Sequence, residues 1–223
     1  MGRNVNCPPP LDGVVFLCHN IIMTKTFMKH GKDWKQYALC AYDQMNSSRS
    51  KWGQDNDYDD AILRSFYMIV FSSGYDFTNY ISLEAHKNVL EFTPSLNTDD
   101  HYFSPQFIGR MIMDTETFLD DFTRFQELFG ECRKVIRLTK KENTALRQLT
   151  ENKRGDLSID APTHMKYSQC GIYLTDKIDG RKRSILQDMR EGDVDIPQYR
   201  FEDVIYVPDE VKQYESRYIV SNL

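Results

Sequence analysis

Apolar residues recur at helical spacing over much of the chain, and this pattern predicts a largely helical body. Asp33 is a plausible N-cap, and the apolar positions after it are spaced i, i+3, i+4, i+7 and i+11, as on one face of a helix. They are Trp34, Tyr37, Ala38, Ala41 and Met45. An earlier apolar stretch from Val14 to His30 predicts another helix, which Gly31 ends. The polar residues from Asn46 to Gln54 predict a connector.

The segment from Ala61 to Phe71 is apolar on nearly all sides, which predicts a central, buried helix. A buried strand is the alternative, because short apolar runs do not distinguish the two. Asp57 or Asp59 is expected to cap this helix at its start, and Gly74 to end it.

Further helix starts follow from capping patterns. Ser82 is expected to cap a helix through Leu90, and Ser104-Pro105 places a cap residue before a proline at the first helical position. Thr139 and Glu142 form a capping box. The segment from Thr117 to Ile136, which lies between the Ser104-Pro105 start and the capping box, is predicted to be the longest helix. Its aromatic stripe is interpreted as core and comprises Phe118, Phe122, Phe125 and Phe129.

The pattern changes in the last third of the chain. Gly171 to Asp176 and Ser184 to Leu186 flank a turn that contains Asp179-Gly180, which predicts a β-hairpin. Val204 to Val207 is a further strand candidate that Pro208 ends. Asp209 is expected to cap a terminal helix that runs through Tyr218.

These elements predict a mainly α fold: a multi-helix globular body with a small C-terminal α/β element that contains one β-hairpin. We divide the chain into an extended N-terminal arm (1–13), a helical domain (14–155) and a mixed α/β lobe or tail packed on it (156–223). A chain of 223 residues is long enough for a large domain with such an appended lobe.

Composition narrows the expected partners and compartment. The chain is acidic, with a formal net charge of -5, so it has no general attraction to phosphate backbones. Five cysteines without a CxxC pair, and an N-terminus unlike a signal peptide, predict an intracellular, reducing compartment, cytoplasm or nucleus. The longest apolar run is too short to span a membrane.

The stretch QDNDYDD resembles a calcium loop because Asp55, Asp57 and Asp59 alternate. An EF-hand loop needs Gly at position 6 and a bidentate Glu at position 12, whereas this chain has Asp60 and Phe66 there. We therefore interpret the stretch as a helix start and expect no metal.

Zinc and cofactor chemistry are not expected either. Cys18, His19, His30 and Cys40 lack the paired spacing of structural zinc ligands. The chain has no motif for a catalytic nucleophile, a metalloprotease, a dinucleotide or a phosphate loop. His101, His164 and Cys170 would need tertiary folding to meet, so an enzyme without a readable motif stays open, and we lean against enzyme activity.

One candidate binding site is basic. Lys177, Arg181, Lys182 and Arg183 lie on or beside the predicted hairpin turn, where they suit an anion, an acidic partner surface or RNA. We expect no nucleic-acid binding by this chain except through this basic loop, 177–183. The alternative is a solvated turn whose charges keep the sheet edge from pairing with other strands.

A second set of candidates suits contacts with other subunits. The arm carries Pro8, Pro9 and Pro10, which favour an extended geometry that can dock. The tail carries tyrosines, whose rings and hydroxyls suit protein interfaces: Tyr199, Tyr206, Tyr214 and Tyr218. We expect other protein subunits as partners, with a homo-oligomer as one form.

Several features occur in an order similar to that in the ligand-binding domain of nuclear receptors. They are the Trp34 helix, Phe122–Phe125, Arg137–Glu142, Leu157-Ser158 and Arg200-Phe201. The resemblance implies a helical domain that binds small apolar ligands and coregulators. The chain departs from that pattern at Pro162, which interrupts a segment, and in lacking the family's zinc-finger module.

Together these observations favour a non-enzymatic protein-interaction domain or structural subunit of a larger assembly. A ligand-binding regulatory domain and an enzyme without a readable motif are the alternatives.

Overall fold

The structure is a computed structural model that describes residues 33–91, 93–150, 165–177 and 195–221. In these residues the helices are α1 Trp34–Ser48, α2 Asn56–Ser72, α3 Leu83–Leu90, α4 Pro105–Thr115, α5 Phe122–Cys132, α6 Lys140–Thr150, α7 Lys166–Gln169, α8 Phe201–Val204 and α9 Asp209–Ser221. The strands are β1 Asp76–Ser82, β2 Asn97–His101, β3 Lys134–Thr139 and β4 Leu174–Asp176. Single turns of 3-10 helix occur at Arg49–Lys51, Pro94–Leu96 and Thr117–Leu119.

The four strands form one mixed sheet in the order β2-β3-β1-β4. The central strands β1 and β3 are parallel, and each edge strand is antiparallel to its neighbour. Because β1 and β3 run the same way, the helices that follow them directly, α3 and α6, start at the same edge of the sheet.

Four helices, α1, α2, α4 and α5, pack on one another beside this sheet. Phe66 of α2 lies at their centre with edge-to-face contacts to Phe125 (6.3 Å between ring centroids) and Phe129 (6.1 Å) of α5. Ring pairs at such distances stabilise beyond the area they bury, by roughly 0.5–1.5 kcal/mol each. Of the predicted aromatic stripe, Phe118, Phe125 and Phe129 are therefore core, whereas Phe122 is only partly buried.

The sheet presents one face to this helical layer. Ile136 and Leu138 of β3 belong to the same hydrophobic cluster as Phe66. The side chain of Arg137, between them, points to the other face of the sheet, because side chains alternate along a strand. Arg137 pairs in register with Asp99 of β2 and Ile81 of β1, so these three side chains share the opposite face.

A buried polar cluster fixes the segment after residue 164 to the sheet. The Lys166 ammonium donates to Asp100 Oδ2 and to the His101 carbonyl, both at 3.2 Å. The Tyr167 hydroxyl donates to the same Asp100 oxygen at 2.6 Å, and its ring stacks on Phe201 of α8. Asp100 thus joins β2, α7 and α8 at one point.

The capping predictions hold in three places. Asp33 Oδ1 accepts from the amide of Lys35, and Ser82 Oγ accepts from the amide of Ala85. Thr139 and Glu142 form the reciprocal pair of a capping box, with side chain to amide distances of 3.0 and 2.7 Å. α4 begins at Pro105, as the Ser104-Pro105 pattern predicts.

The predicted helix from Thr117 to Ile136 is wrong at both ends. Thr117 begins a 3-10 turn after Glu116, whose φ of 54° breaks the helical path, and Asp121 caps the shorter α5. Residues 134–139 form β3 because this segment gains strand partners on both sides: Val135 pairs with Phe77 of β1 and with His101 of β2. Such partners favour β-branched residues over the local helical pattern.

The fold is mainly α, but its β part is larger than one hairpin. Three of the four strands lie within the segment expected to be helical or connecting, at 76–82, 97–101 and 134–139. The first predicted hairpin strand exists as β4, which pairs with β1 over 174–176. The predicted second strand, Ser184 to Leu186, lies outside the described residues, as do the arm, the helix from Val14 to His30 and the 155/156 boundary.

Two further predictions are corrected. Val204 to Val207 is not a strand: α8 ends at Val204, and the chain after it is irregular up to Pro208. Asp209 is the first residue of α9 rather than its cap. The predicted helix from Ala61 to Phe71 exists, but it begins earlier, at Asn56, and Asp55 caps it through a 2.9 Å bond from the Asp57 amide.

Candidate functional site

A run of four aromatic side chains lies along the surface from the end of α2 to the start of β1. We call Tyr67, Phe71, Tyr75 and Phe77 the aromatic surface. Successive ring centroids are 6.3, 5.7 and 6.1 Å apart. Phe71, Tyr75 and Phe77 are 48%, 37% and 42% exposed, and Tyr67 is half-buried. Contiguous exposed apolar area of this kind marks interaction sites.

The sequence produces this surface because α2 is more apolar than the core requires. Ile62, Phe66 and Ile69 point inward and are buried, and a helix can turn only one side toward one core. Phe71 therefore faces solvent although it belongs to the same apolar run. Gly74, with a φ of 86°, then redirects the chain into β1.

Strand alternation continues the surface onto the sheet. Tyr75 and Phe77 are two residues apart, so they project to the same side. In the parallel register Phe77 pairs with Val135 of β3, and His101 of β2 pairs with the same Val135. The surface thus spreads over the sheet face that points away from the helical layer.

Two cations border Phe77. The Arg137 guanidinium lies 5.3 Å from the ring centroid and the Lys177 ammonium lies 5.0 Å from it. Cation–π contacts at exposed sites stabilise by roughly 0.5–1 kcal/mol each. Arg137 also forms an ion pair with Asp99 at 2.9 Å, whereas Lys177 has no ion pair with any of the described residues. Within the described part of the chain, Lys177 is therefore a cation of this surface that no carboxylate holds in an ion pair.

His101 lies beneath the aromatic surface. Its Nδ1–H donates to the Cys132 carbonyl at 2.7 Å, and its ring meets Tyr75 edge to face at 5.2 Å. Its Nε2 is buried, and no described residue forms a hydrogen bond with it. Burial lowers the pKa of His101, because a protonated ring would bring an unsolvated charge into this position. The imidazole is neutral at pH 7 and adds no charge to the surface.

A second feature is a cleft of about 580 Å³ at the sheet edge where α3 and α6 start. Its lining comes from α3, the 3-10 turn at Pro94–Leu96, the end of β3, the first turns of α6 and the loop after α7. It comprises Glu84, Asn88, Leu96, Thr139, Lys140, Lys141, Glu142, Ala145, Cys170, Gly171 and Ile172. Both carboxylates are engaged. Glu84 pairs with Lys87 at 2.6 Å, and Glu142 accepts from Ser82 and Thr139.

Cys170 is the nucleophile-type side chain in this cleft. Burial raises the pKa of its thiol, and the nearby Lys166 opposes that rise. A thiol with a raised pKa is protonated at neutral pH and is a poor nucleophile. His101 is not among the residues that line the cleft, and His164 lies outside the described residues. The described lining of the cleft therefore supplies a thiol but no imidazole.

The acidic stretch forms the start of a helix. Asp59 is 4% exposed, accepts from the Gly53 amide at 3.0 Å and lies 3.9 Å from an Arg110 nitrogen. Across the described residues, no three His, Cys, Asp or Glu side chains are arranged to hold a metal ion.

Of the predicted basic site, the structure describes Lys177. Arg181, Lys182 and Arg183 follow it in the chain but lie outside the described residues, as do Pro8, Pro9 and Pro10. Sequence reasoning placed the site on the hairpin turn, and it missed the aromatic rings that Lys177 contacts. One signal in the sequence does indicate these rings: the segment from Ala61 to Phe71 has more apolar residues than one face of a helix can hold.

The tail tyrosines are placed differently from one another. Tyr206 is 71% exposed, whereas Tyr214 is buried, packs on Phe107 and donates to Asp114. Tyr199 packs edge to face on Tyr80 and donates to Asp176 at 3.1 Å. The side chain of Tyr218 lies outside the described residues. Tyr214 and Tyr199 thus use their hydroxyls within this chain.

Comparisons with protein families, with curated proteins and with solved structures found nothing that matches this chain. In the part of the chain that the structure describes, no helix is both long enough and apolar enough to cross a membrane.

Proposed function

We propose that this chain is a non-enzymatic interaction module, a subunit of a larger assembly, that binds a protein partner through the aromatic surface. The observation that carries the proposal is the continuous run of exposed rings bordered by Arg137 and Lys177. Aromatic residues and arginine are enriched in protein interfaces and supply most of their hot spots.

The chemistry of the cleft supports a binding role over a catalytic one. Its thiol is protonated at neutral pH, and its two carboxylates are held by intramolecular hydrogen bonds or an ion pair. General acid–base catalysis needs a group with a pKa near the working pH and within reach of the substrate. Both carboxylates of the cleft are already occupied by donors of this chain, Glu84 by Lys87 and Glu142 by Ser82 and Thr139.

Affinity capture from the protein's own source tests the proposal. The bait is the full chain, compared with a Phe71→Ser/Tyr75→Ser double variant. We expect the double variant to lose partner proteins that the unmodified chain retains, because exposed aromatic anchors contribute about 2 kcal/mol or more each at interface hot spots.

Tyr206→Ser serves as the matched control. It also removes an exposed aromatic ring, but on the loop between α8 and α9. If capture depended on Tyr206 and not on Phe71 and Tyr75, the interface would lie on the tail instead. That result would agree with the interface predicted from the tyrosines of the tail. Equal capture by all three proteins would remove the proposal.

A second candidate is a ligand-binding regulatory domain. It is favoured by the volume of the cleft, which lies within the range of roughly 300–1,000 Å³ for small-molecule sites. Native mass spectrometry of the full chain purified from its source tests it: a bound small molecule that is lost in an Ala145→Trp variant would support it.

A further inference from the structure

We propose that the aromatic surface is acid-sensitive: Tyr75 covers the imidazole of His101 at neutral pH, and protonation of His101 displaces the Tyr75 ring and releases the bound partner. The proposal rests on the proposed function and specifies how the aromatic surface is regulated.

The position of His101 is the first argument. It is the last residue of the edge strand β2 and pairs with Val135 of β3, as Phe77 of β1 does from the other side. His101 and Phe77 therefore flank Val135 on the sheet face that points away from the helical layer. The ring of Tyr75 meets His101 edge to face at 5.2 Å, so His101 lies directly beneath the aromatic surface.

Hydrogen bonding is the second argument. The Nδ1–H of His101 donates to the Cys132 carbonyl at 2.7 Å, so the neutral ring carries its lone pair on Nε2. That nitrogen is buried, and no described residue forms a hydrogen bond with it. A proton on Nε2 would add a charge and a donor where no acceptor is present, and this cost lowers the pKa of His101. Protonation therefore requires water to reach Nε2.

The charged groups around His101 do not supply an acceptor. The nearby carboxylates are each held by a cation: Asp99 by Arg137 at 2.9 Å, Asp100 by Lys166 at 3.2 Å and Glu131 by Lys134 at 2.7 Å. Asp76 of β1 points to the opposite face of the sheet, because side chains alternate along a strand. Burial lowers the pKa of His101 and outweighs the Cys132 carbonyl, Asp100 and Asp99, which raise it, while Lys166 lowers it further.

The mobility of the Tyr75 ring is the third argument. The His101 backbone is held, because its carbonyl accepts from Lys166 Nζ at 3.2 Å. Arg133 holds the chain on both sides of Tyr75: its Nε donates to the Gly74 carbonyl at 3.1 Å, and its carbonyl accepts from the Asp76 amide at 2.9 Å. The Tyr75 ring is partly exposed and can rotate outward between side-chain rotamers without breaking these contacts. This rotation brings water to His101 and leaves the sheet intact.

The direction of the pH effect follows from linkage. An uncovered His101 has the ordinary pKa of about 6.5, whereas the covered ring has a lower pKa. The covered arrangement is therefore fully favoured above about pH 6.5. As the pH falls from there toward the lower pKa, the uncovered arrangement gains by up to about tenfold per pH unit. Because Tyr75 is one of the rings proposed to bind the partner, acid weakens binding.

The first test is an NMR titration of His101 in the full chain with labelled histidine. We expect a pKa below about 6.5 in the unmodified chain. Tyr75→Ala removes the cover, so His101 should bind its proton at least about threefold more tightly, with its pKa moving toward 6.5. Tyr206→Ala is the matched control, since it removes an exposed tyrosine on the loop between α8 and α9 and should leave the pKa of His101 unchanged.

The second test is partner capture at pH 7.5 and at pH 5.5 with the unmodified chain and with His101→Asn. Asparagine keeps an N–H donor for the Cys132 carbonyl but does not titrate. We expect the unmodified chain to retain at least about threefold less partner at pH 5.5, and His101→Asn to retain equal amounts at both pH values. Circular dichroism at both pH values checks that the two proteins stay folded.

The outcomes separate this inference from the proposed function. A His101 pKa at or above about 6.5, an equal pKa in the unmodified chain and Tyr75→Ala, or the same acid loss of capture in His101→Asn would overturn the acid-sensitivity inference. The proposed function would still stand if capture at pH 7.5 depended on Phe71 and Tyr75. If capture were independent of these rings, the proposed function would fail, and partner release with it, even where the titration showed that Tyr75 covers His101.

Discussion

The hydroxyl of Ser82 donates a hydrogen bond to Glu142 Oε2 at 2.7 Å, joining the start of α3 to the start of α6. The same carboxylate oxygen accepts from the Thr139 amide at 2.7 Å. Glu142 therefore closes its own capping box and ties the ends of the two parallel strands, although Ser82 and Glu142 are sixty residues apart.

Replacing Glu142 should destabilise the fold. Glu142→Ala removes a cap and leaves the buried Ser82 hydroxyl without its acceptor, so we expect a loss of about 2 kcal/mol in the free energy of unfolding. Glu142→Gln keeps an acceptor oxygen and should lose less than half of that. Urea denaturation measures both, and equal stability of Glu142→Ala and the unmodified chain would contradict the assigned role.

Two helical glycines should respond in opposite directions to alanine. A Cβ at Gly109 of α4 would lie 2.9 Å from Leu63 Cδ2 and 3.2 Å from Phe66 Cδ1, both in the core. We expect Gly109→Ala to cost about 1–2 kcal/mol through overpacking, despite the better helix propensity of alanine.

Gly130 of α5 provides the matched comparison. A Cβ there meets Trp34 at 3.5 Å, an ordinary contact distance. Gly130→Ala should therefore stabilise by up to about 1 kcal/mol. Thermal unfolding followed by circular dichroism reports both signs. A Gly109→Ala variant that melts above the Gly130→Ala variant would show that the α2–α4 contact is looser than these distances indicate.

Buried histidines should make the fold sensitive to mild acid. His86 is 2% exposed, neither ring nitrogen has a hydrogen-bond partner among the described residues, and burial lowers its pKa. The folded pKa thus lies below the unfolded value of about 6.5. Neutral His86 therefore contributes its full stability above the unfolded pKa of about 6.5. This contribution is lost as the pH falls from the unfolded pKa through the lower folded pKa.

The variant His86→Leu should flatten this pH dependence. His101 contributes with the same sign, so the variant keeps part of the slope between pH 7 and pH 5. The measurement is the urea unfolding free energy across that interval, compared with the unmodified chain. An unchanged slope in His86→Leu would mean that His86 is solvated in the folded protein.

The Lys166–Asp100 pair should matter more than an exposed ion pair of the same length. Lys166 and Asp100 have side chains only 10% and 20% exposed, and their 3.2 Å contact also supports Tyr167. Lys166→Met removes the cation and leaves Asp100 buried with less compensation. We expect a loss of roughly 2–3 kcal/mol, discounted from the 3–5 kcal/mol typical of fully buried pairs.

Lys212→Met is the control for that change. The Lys212–Asp209 pair is also 3.2 Å long, but its side chains are 47% and 77% exposed. Solvent screening limits such pairs to about 0–1 kcal/mol, so stability should hardly change. Similar losses in the two variants would indicate that Lys166 acts through its aliphatic stem rather than through its charge.

The two thiols that the structure describes as free should react at different rates. Cys132 is fully buried in the core, whereas Cys170 is half-buried in the cleft. With iodoacetamide and peptide mass spectrometry, we expect Cys170 to be alkylated in the folded protein and Cys132 only on unfolding. Because burial raises the pKa of Cys170, its rate should keep rising above pH 8. Faster labelling of Cys132 would contradict its placement.

Local signals in the sequence correctly predicted several of the helix starts. Asp33, Ser82 and Thr139 act through bonds to amides two or three residues away, so each pattern can be read without the rest of the fold. The same locality explains the error at residues 134–139. Their helical spacing continues that of α5, and only pairing with β1 and β2 makes them a strand.

The candidate site depended on longer-range packing. The sequence indicated Lys177 as a partner-binding cation, but the rings beside it come from α2, from the turn at Gly74 and from β1. The apolar run from Ala61 to Phe71 indicated a buried segment, for which a helix was favoured and a strand was the alternative. Which of its side chains stayed exposed was decided by the tertiary structure, because one core can cover only one side of a helix.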